Sequence, residues 1–67
     1  MNVTIIGLGL IGGSIAKDLK KAGFASQITG VDKDTVNGQT ALSIGLVDEF
    51  VDLEQGIENA DLIIVAI

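Results

Sequence analysis

Apolar and polar positions alternate between two periods along the chain, and each change of period marks an element. Val3-Thr4-Ile5-Ile6 is β-branched throughout and stops at Gly7, which predicts a short strand buried on both faces. From Leu10 to Ala22 the apolar residues Ile11, Ile15, Leu19 and Ala22 recur at helical spacing, with Lys17, Asp18, Lys20 and Lys21 falling between them. This predicts an amphipathic helix, closed by lysines in its last turn and by Gly23-Phe24 as a left-handed cap.

Gln27 to Asp32 predicts a second strand that ends on a carboxylate. Asp34 then has the place of an N-cap, and Val36, Ala41, Leu42 and Ile44 lead to Gly45 as the next C-cap. Asn37-Gly38 is a turn signal inside that helix, so a late start or an irregular first turn is expected there. Phe50-Val51 reads as a minimal third strand. Asp52, with Gln55 three residues on, opens a short helix carrying Leu53, Ile57 and Ala60. Leu62 to Ile67 is an unbroken apolar run, which predicts a central parallel strand covered on both sides.

The order is therefore strand, helix, strand, helix, strand, helix, strand, with no linker or repeat. Such alternation with right-handed crossovers gives a doubly wound α/β sheet, with an expected spatial strand order of 3-2-1-4. With 67 residues there is room for one small domain and a thin core.

Composition narrows the chemistry. The chain is 48% apolar with nine glycines and no proline, which argues against disorder. Nine acidic residues against four lysines leave a net charge of −5, so nucleic acid and anionic membrane surfaces are poor partners. An anionic ligand here has to be held by local backbone dipoles. Without cysteine or histidine there is no disulfide, no thiolate or imidazole metal site, and neither a common general base nor a thiol nucleophile. No signal peptide is readable after Met1, and the longest apolar run is far shorter than the roughly 20 residues a bilayer span takes. A cytoplasmic protein is the default expectation.

The first strand-to-helix junction carries Gly7-Leu8-Gly9-Leu10-Ile11-Gly12. In a dinucleotide-binding turn, Gly7 permits the tight exit from the strand, Gly9 lets the backbone approach a pyrophosphate, and Gly12 lets the helix pack close to the strand. The N–H groups of Leu10 and Ile11 at the helix start are the expected phosphate donors. A glycine-rich turn chosen only for close packing gives the same spelling. Two features favour the nucleotide: the motif lies between a strand and a helix, and Asp32 stands 20 residues after Gly12 at the end of the second strand. Asp32 accepts from ribose hydroxyls and repels a 2′-phosphate, so NAD is favoured over NADP, although Asp32 as a solvated strand end stays open. Lys33 beside it is the one cation that could relax that preference. Asp48, Glu49, Asp52, Glu54 and Glu58 look like metal-ligand material, but their spacing matches no calcium loop and a solvated surface is expected.

The segments Gly7 to Ala16, Leu19 to Phe24, Gly30-Val31-Asp32, Gly45-Leu46-Val47-Asp48 and Ala60 to Ala66 together resemble the N-terminal, Rossmann-like half-domain of prephenate dehydrogenases. The resemblance covers nearly the whole chain, and its most specific parts are Gly12-Gly13-Ser14 and Gly45-Leu46-Val47-Asp48. It implies NAD-dependent oxidative decarboxylation of prephenate to 4-hydroxyphenylpyruvate in tyrosine biosynthesis, or the equivalent reaction on arogenate. It also implies cofactor contacts from Gly7, Gly9, Leu10, Ile11, Gly12, Asp32, Lys33, Val65 and Ala66. The family's catalytic His and Arg have no counterpart among these residues, and its helical dimerisation domain is absent. Residues 1–67 are accordingly expected to be the N-terminal part of a dinucleotide-binding domain, inactive alone and homodimeric only at full length. A regulatory nucleotide-sensing module of the kind attached to potassium channels is the alternative, since it shares the strand, glycine loop, strand, Asp pattern without catalytic residues.

Overall fold

The computed structural model describes residues 1–67, in the order β1 (Asn2–Ile6), α1 (Leu10–Ala22), β2 (Gln27–Val31), α2 (Thr35–Ser43), β3 (Glu49–Phe50), α3 (Leu53–Glu58) and β4 (Leu62–Val65). The strands form one parallel sheet in the order β3-β2-β1-β4, the order expected of this doubly wound alternation. β1 lies in the middle, registered on one side as Ile5↔Gly30 and on the other as Ile5↔Ile64.

Paired residues in a parallel ladder point to the same face, so parity assigns the two sides. Val3, Ile5, Ile28 and Ile64 point to the side of α1 and α2, where Val3, Ile5, Leu8, Ala16, Ile28, Ala41 and Val47 form the core. Thr4 and Val31 point to the side of α3, beneath Gly56. Only 14 of 67 residues are buried, and the hydrophobic cluster lies on one face, so the sheet is covered unequally. No helix is long and apolar enough to cross a membrane.

α1 has the predicted bounds and cap: Gly23 is left-handed at φ 69°, and Phe24 N–H donates to Leu19 O at 3.1 Å. Its inward face is Gly12, Ile15, Ala16 and Leu19, not the stripe beginning at Ile11, which is 69% exposed. The reason is close packing: the helix presents its smallest residues to β1 and turns Ile11 outward.

α2 overturns the expected irregular start. It is helical from Thr35, directly after Asp34 caps it by accepting from Val36 N–H at 2.9 Å. Gly38 is buried within it because the ring of Phe50 occupies the space a Cβ would take. The glycine is there for a contact between helix and sheet and not for a turn. Gly45 is left-handed at φ 80°, just beyond the helix end.

β3 is Glu49–Phe50, one residue earlier than expected, because Asp48 and not Glu49 closes the loop before it. Asp48 N–H donates to Ile28 O at 2.8 Å, and its Oδ2 accepts from Ile28 N–H at 2.8 Å. Asp61 does the same ahead of β4, donating to Asn2 O at 2.8 Å and accepting from Asn2 N–H at 2.7 Å. Asp52 caps α3 as predicted, accepting from Gln55 N–H at 2.9 Å. α3 ends at Glu58, so Ala60 lies in the following turn.

β4 corrects the reading of a strand covered on both sides. It stops at Val65, and among residues 1–67 it is an edge strand. Ile64 packs on the core, but Ile63 and Val65 on the opposite face stay exposed, because the six residues of α3 cover β1 and β2.

Candidate functional site

A cleft of about 590 Å³ opens at the carboxyl ends of β1, β2 and β4, within the roughly 300–1,000 Å³ usual for small-molecule sites. It lies where the strand order reverses, the place where open α/β sheets bind ligands. Its walls include Gly7, Gly9, Asp32, Lys33 and Ala66 of the sequence-predicted set. Leu10, Ile11 and Gly12 are not in its lining; Leu10 and Ile11 sit exposed in the first turn of α1 at its rim, and Gly12 is buried beneath. Val65 is not part of the lining, although it shares a face with Ile6 and Val31, which are.

The three glycines of the loop differ physically. Gly7 has φ 99°, and a Cβ there would stand 2.7 Å from Ala66 O. A Cβ on Gly12 would overlap the carbonyl oxygen of Gly7. Gly9 has nothing within 4 Å, so the fold itself has no need of a glycine at that position. Gly9 is also the N-cap of α1 and offers no side-chain bond to the helix, while the first turn holds no acidic residue. The amides of that turn are left for an external acceptor, at the positive end of a 13-residue helix.

Asp32 follows β2 directly and is half-buried. Its Oδ1 accepts from Asp34 N–H at 2.8 Å, and its Oδ2 from Leu8 N–H at 2.7 Å and from Asn37 Nδ2 at 3.4 Å. These donors, first Asp34 and then Leu8, hold its carboxyl below the ordinary carboxylate range despite its partial burial. Lys33 is exposed beside it and adds a smaller push in the same direction. Five residues outside the sequence-predicted set also line the cleft: Ile6 and Val31 at the ends of β1 and β2, Ile67 beyond β4, and Asp52 and Leu53 at the start of α3. The helix cap at Asp52 was legible, but its closeness to the glycine loop depends on the crossover.

The acidic stretch is not uniformly solvated. Asp48 joins β2 to β3 and also accepts from Lys20 Nζ at 3.0 Å, while Glu49 accepts from Thr29 Oγ1 at 3.2 Å. Ile28 N–H first and Lys20 second keep the Asp48 carboxyl below its usual range. The same sign follows for both aspartates: a lowered pKa means that the folded chain binds fewer protons than the unfolded one. Their contribution is then present above about pH 4 and fades as pH falls through the lowered values. Denaturant titrations across acid pH should show a shallower loss of stability in Asp48→Asn than in the parent chain; equal slopes would discount this linkage.

The sequence profile described as "Prephenate dehydrogenase, nucleotide-binding domain" matches residues 15–67. The chain is 45% identical over 65 residues to a prephenate dehydrogenase of Lactococcus lactis subsp. cremoris, and 37% identical over 65 residues to one of Bacillus subtilis. These alignments take in 97% and 96% of this chain but 18% of each relative, so it spans less than a fifth of their length. In three dimensions it is similar to a prephenate dehydrogenase from A. aeolicus in complex with hydroxyphenyl propionate and NAD+. The TM-score is 0.86 at 33% identity, covering 97% of this chain and 23% of that one. An uncapped helix start above a glycine loop and a carboxylate at the neighbouring strand end is what a nucleotide-binding sheet requires, and the chain belongs to the prephenate dehydrogenase nucleotide-binding domain family.

Proposed function

We propose that residues 1–67 grip the adenosine diphosphate half of NAD for an enzyme that oxidatively decarboxylates prephenate to 4-hydroxyphenylpyruvate. The observation that carries this reading is Gly9, where a Cβ would meet nothing within 4 Å, set between two tightly packed glycines and in front of unpaired helix amides. A pyrophosphate suits that gap: it needs close backbone approach and N–H donors, and it brings the charge that the helix end favours. In this reading Leu10 and Ile11 donate through their amides, Asp32 accepts from the ribose, Lys33 flanks it, and Ala66 and Val65 follow the adenosine side. The bound cofactor supplies a hydride acceptor. The protein's part within this chain is to hold and orient it, with no catalytic residue contributed.

The family match and the A. aeolicus neighbour support NAD and prephenate together, and they disfavour a regulatory nucleotide sensor. Arogenate is the competing substrate, and homodimerisation and a cytoplasmic location belong to the same proposal. The test is a titration of the full-length protein with NADH, read by the cofactor's own emission, with NADPH in parallel. Saturable binding, tighter for NADH, is expected, followed by NAD reduction on adding prephenate. Absence of saturable binding would sink the nucleotide reading, and turnover of arogenate alone would reassign the substrate.

A further inference from the structure

The sequence pattern gives Asp32 one task, accepting hydroxyls of a ribose, but its carboxylate is already engaged. Gly7 N–H extends the β1–β2 ladder by donating to Val31 O at 2.7 Å, and the next amide, Leu8 N–H, donates to Asp32 Oδ2 at 2.7 Å. Two successive amides thus stitch the loop to the end of β2. On its other side the loop is anchored by the Leu8 side chain, which is 6% exposed and fills the space above Gly30, where a Cβ would stand 2.6 Å from Leu8 Cδ1. Leu8 lies between the glycine that makes the turn and the glycine that faces the cleft, so whatever fixes its peptide fixes the approach to Gly9.

A carboxylate oxygen accepts about two hydrogen bonds. Oδ2 already has Leu8 N–H and the longer contact from Asn37, whereas Oδ1 has Asp34 N–H alone. One acceptor position therefore remains, on Oδ1, for a sugar hydroxyl. We infer that Asp32 is a clasp that holds the glycine loop in its phosphate-accepting shape, and that it takes a single ribose hydroxyl through Oδ1. The inference rests on the nucleotide reading above and deepens it: the ribose and pyrophosphate subsites share one carboxylate. Removing that carboxylate to admit a 2′-phosphate loosens the phosphate loop at the same time. Asp32→Ala therefore loses NAD without gaining NADP.

The test separates the two roles by deleting the sugar's contribution from the ligand. Full-length protein and its Asp32→Ala variant are titrated by calorimetry with ADP and with 2′,3′-dideoxy-ADP. A clasp predicts that Asp32→Ala binds dideoxy-ADP about tenfold more weakly than the parent does, the scale of one charge-assisted hydrogen bond. Equal affinity of the two proteins for dideoxy-ADP overturns the clasp and leaves the nucleotide reading intact, whereas a parent protein that ignores ADP overturns that reading itself. Amide exchange gives a second measure that needs no variant: Leu8 N–H should be protected in the ligand-free parent protein, and fast exchange there overturns the clasp. In Asp32→Ala the Leu8 amide should exchange faster while Ile5 and Ile28 do not change, which a general loss of stability would not produce.

Discussion

Gly9→Val should leave the fold standing and remove nucleotide binding. The backbone there, at φ −69° and ψ −160°, is extended and open to any residue, and no atom lies within 4 Å of the new Cβ. The cost to the fold is the poorer helix cap, about 1 kcal/mol at most. The cost to the ligand is larger, because an isopropyl group then stands where a pyrophosphate must meet the backbone. Affinity for NADH should fall by at least about 100-fold, roughly 2.7 kcal/mol. Thermal unfolding by circular dichroism and NADH titration on the same sample give both numbers, and an affinity within threefold of the parent would refute the loop assignment.

Gly12→Ala should fail in the opposite way. A single methyl at this site meets the carbonyl oxygen of Gly7, a backbone atom in a loop held on both sides, with Ile5 Cγ2 3.5 Å away. That carbonyl cannot swing aside as a flexible side chain would, so α1 has to lift from β1. Overpacking against a backbone atom costs about 3 kcal/mol or more, a large share of the roughly 5–15 kcal/mol that holds a domain folded. Denaturant unfolding should show much of the stability gone, with binding lost as a consequence. A Gly12→Ala protein of parental stability that still fails to bind NADH would move Gly12 from a packing role to a ligand-contact role. The two substitutions, three residues apart, thus separate what the fold demands of the motif from what the ligand demands.

Much of this architecture was legible because its determinants are local. The β-branched run at Val3, the lysine-glycine end of α1, and the aspartates before α2 and α3 each act within a turn of their own position, and strand order followed from the strand-helix alternation of a doubly wound sheet. The failures share a cause in distance. Asn37-Gly38 spells a turn, yet Gly38 is helical because Phe50 on β3 needs its missing side chain. Ile11 continues an apolar period but faces solvent, since the helix approaches the sheet through Gly12 and Ala16. The run from Leu62 announced burial correctly for Ile64, but spacing alone could not say which face would lack a cover.

At the site, the glycines and Asp32 could be named from their spacing. The bond from Leu8 N–H to Asp32 could not, because it depends on where a loop ends relative to a strand 24 residues later. Asp48 and Asp61 carried a faint signal, since each stands immediately before a strand.

Those last two aspartates bear on the order in which the chain assembles. A parallel strand that slips by one residue turns every side chain to the wrong face, and a two-residue strand such as β3 has little ladder of its own to resist a slip. Asp48 and Asp61 each close a two-bond ring with one residue of the neighbouring strand, so they act as index marks that admit a single alignment. For Asp61 the partner is Asn2, 59 positions away. That contact, like the rest of the β1–β4 pairing, closes a far longer loop than either of the other strand pairings and has more entropy to overcome. The β1–β2 and β2–β3 pairings, whose partners are closer in sequence, cost less entropy to form, and of the four strands β4 is the one whose alignment costs the most.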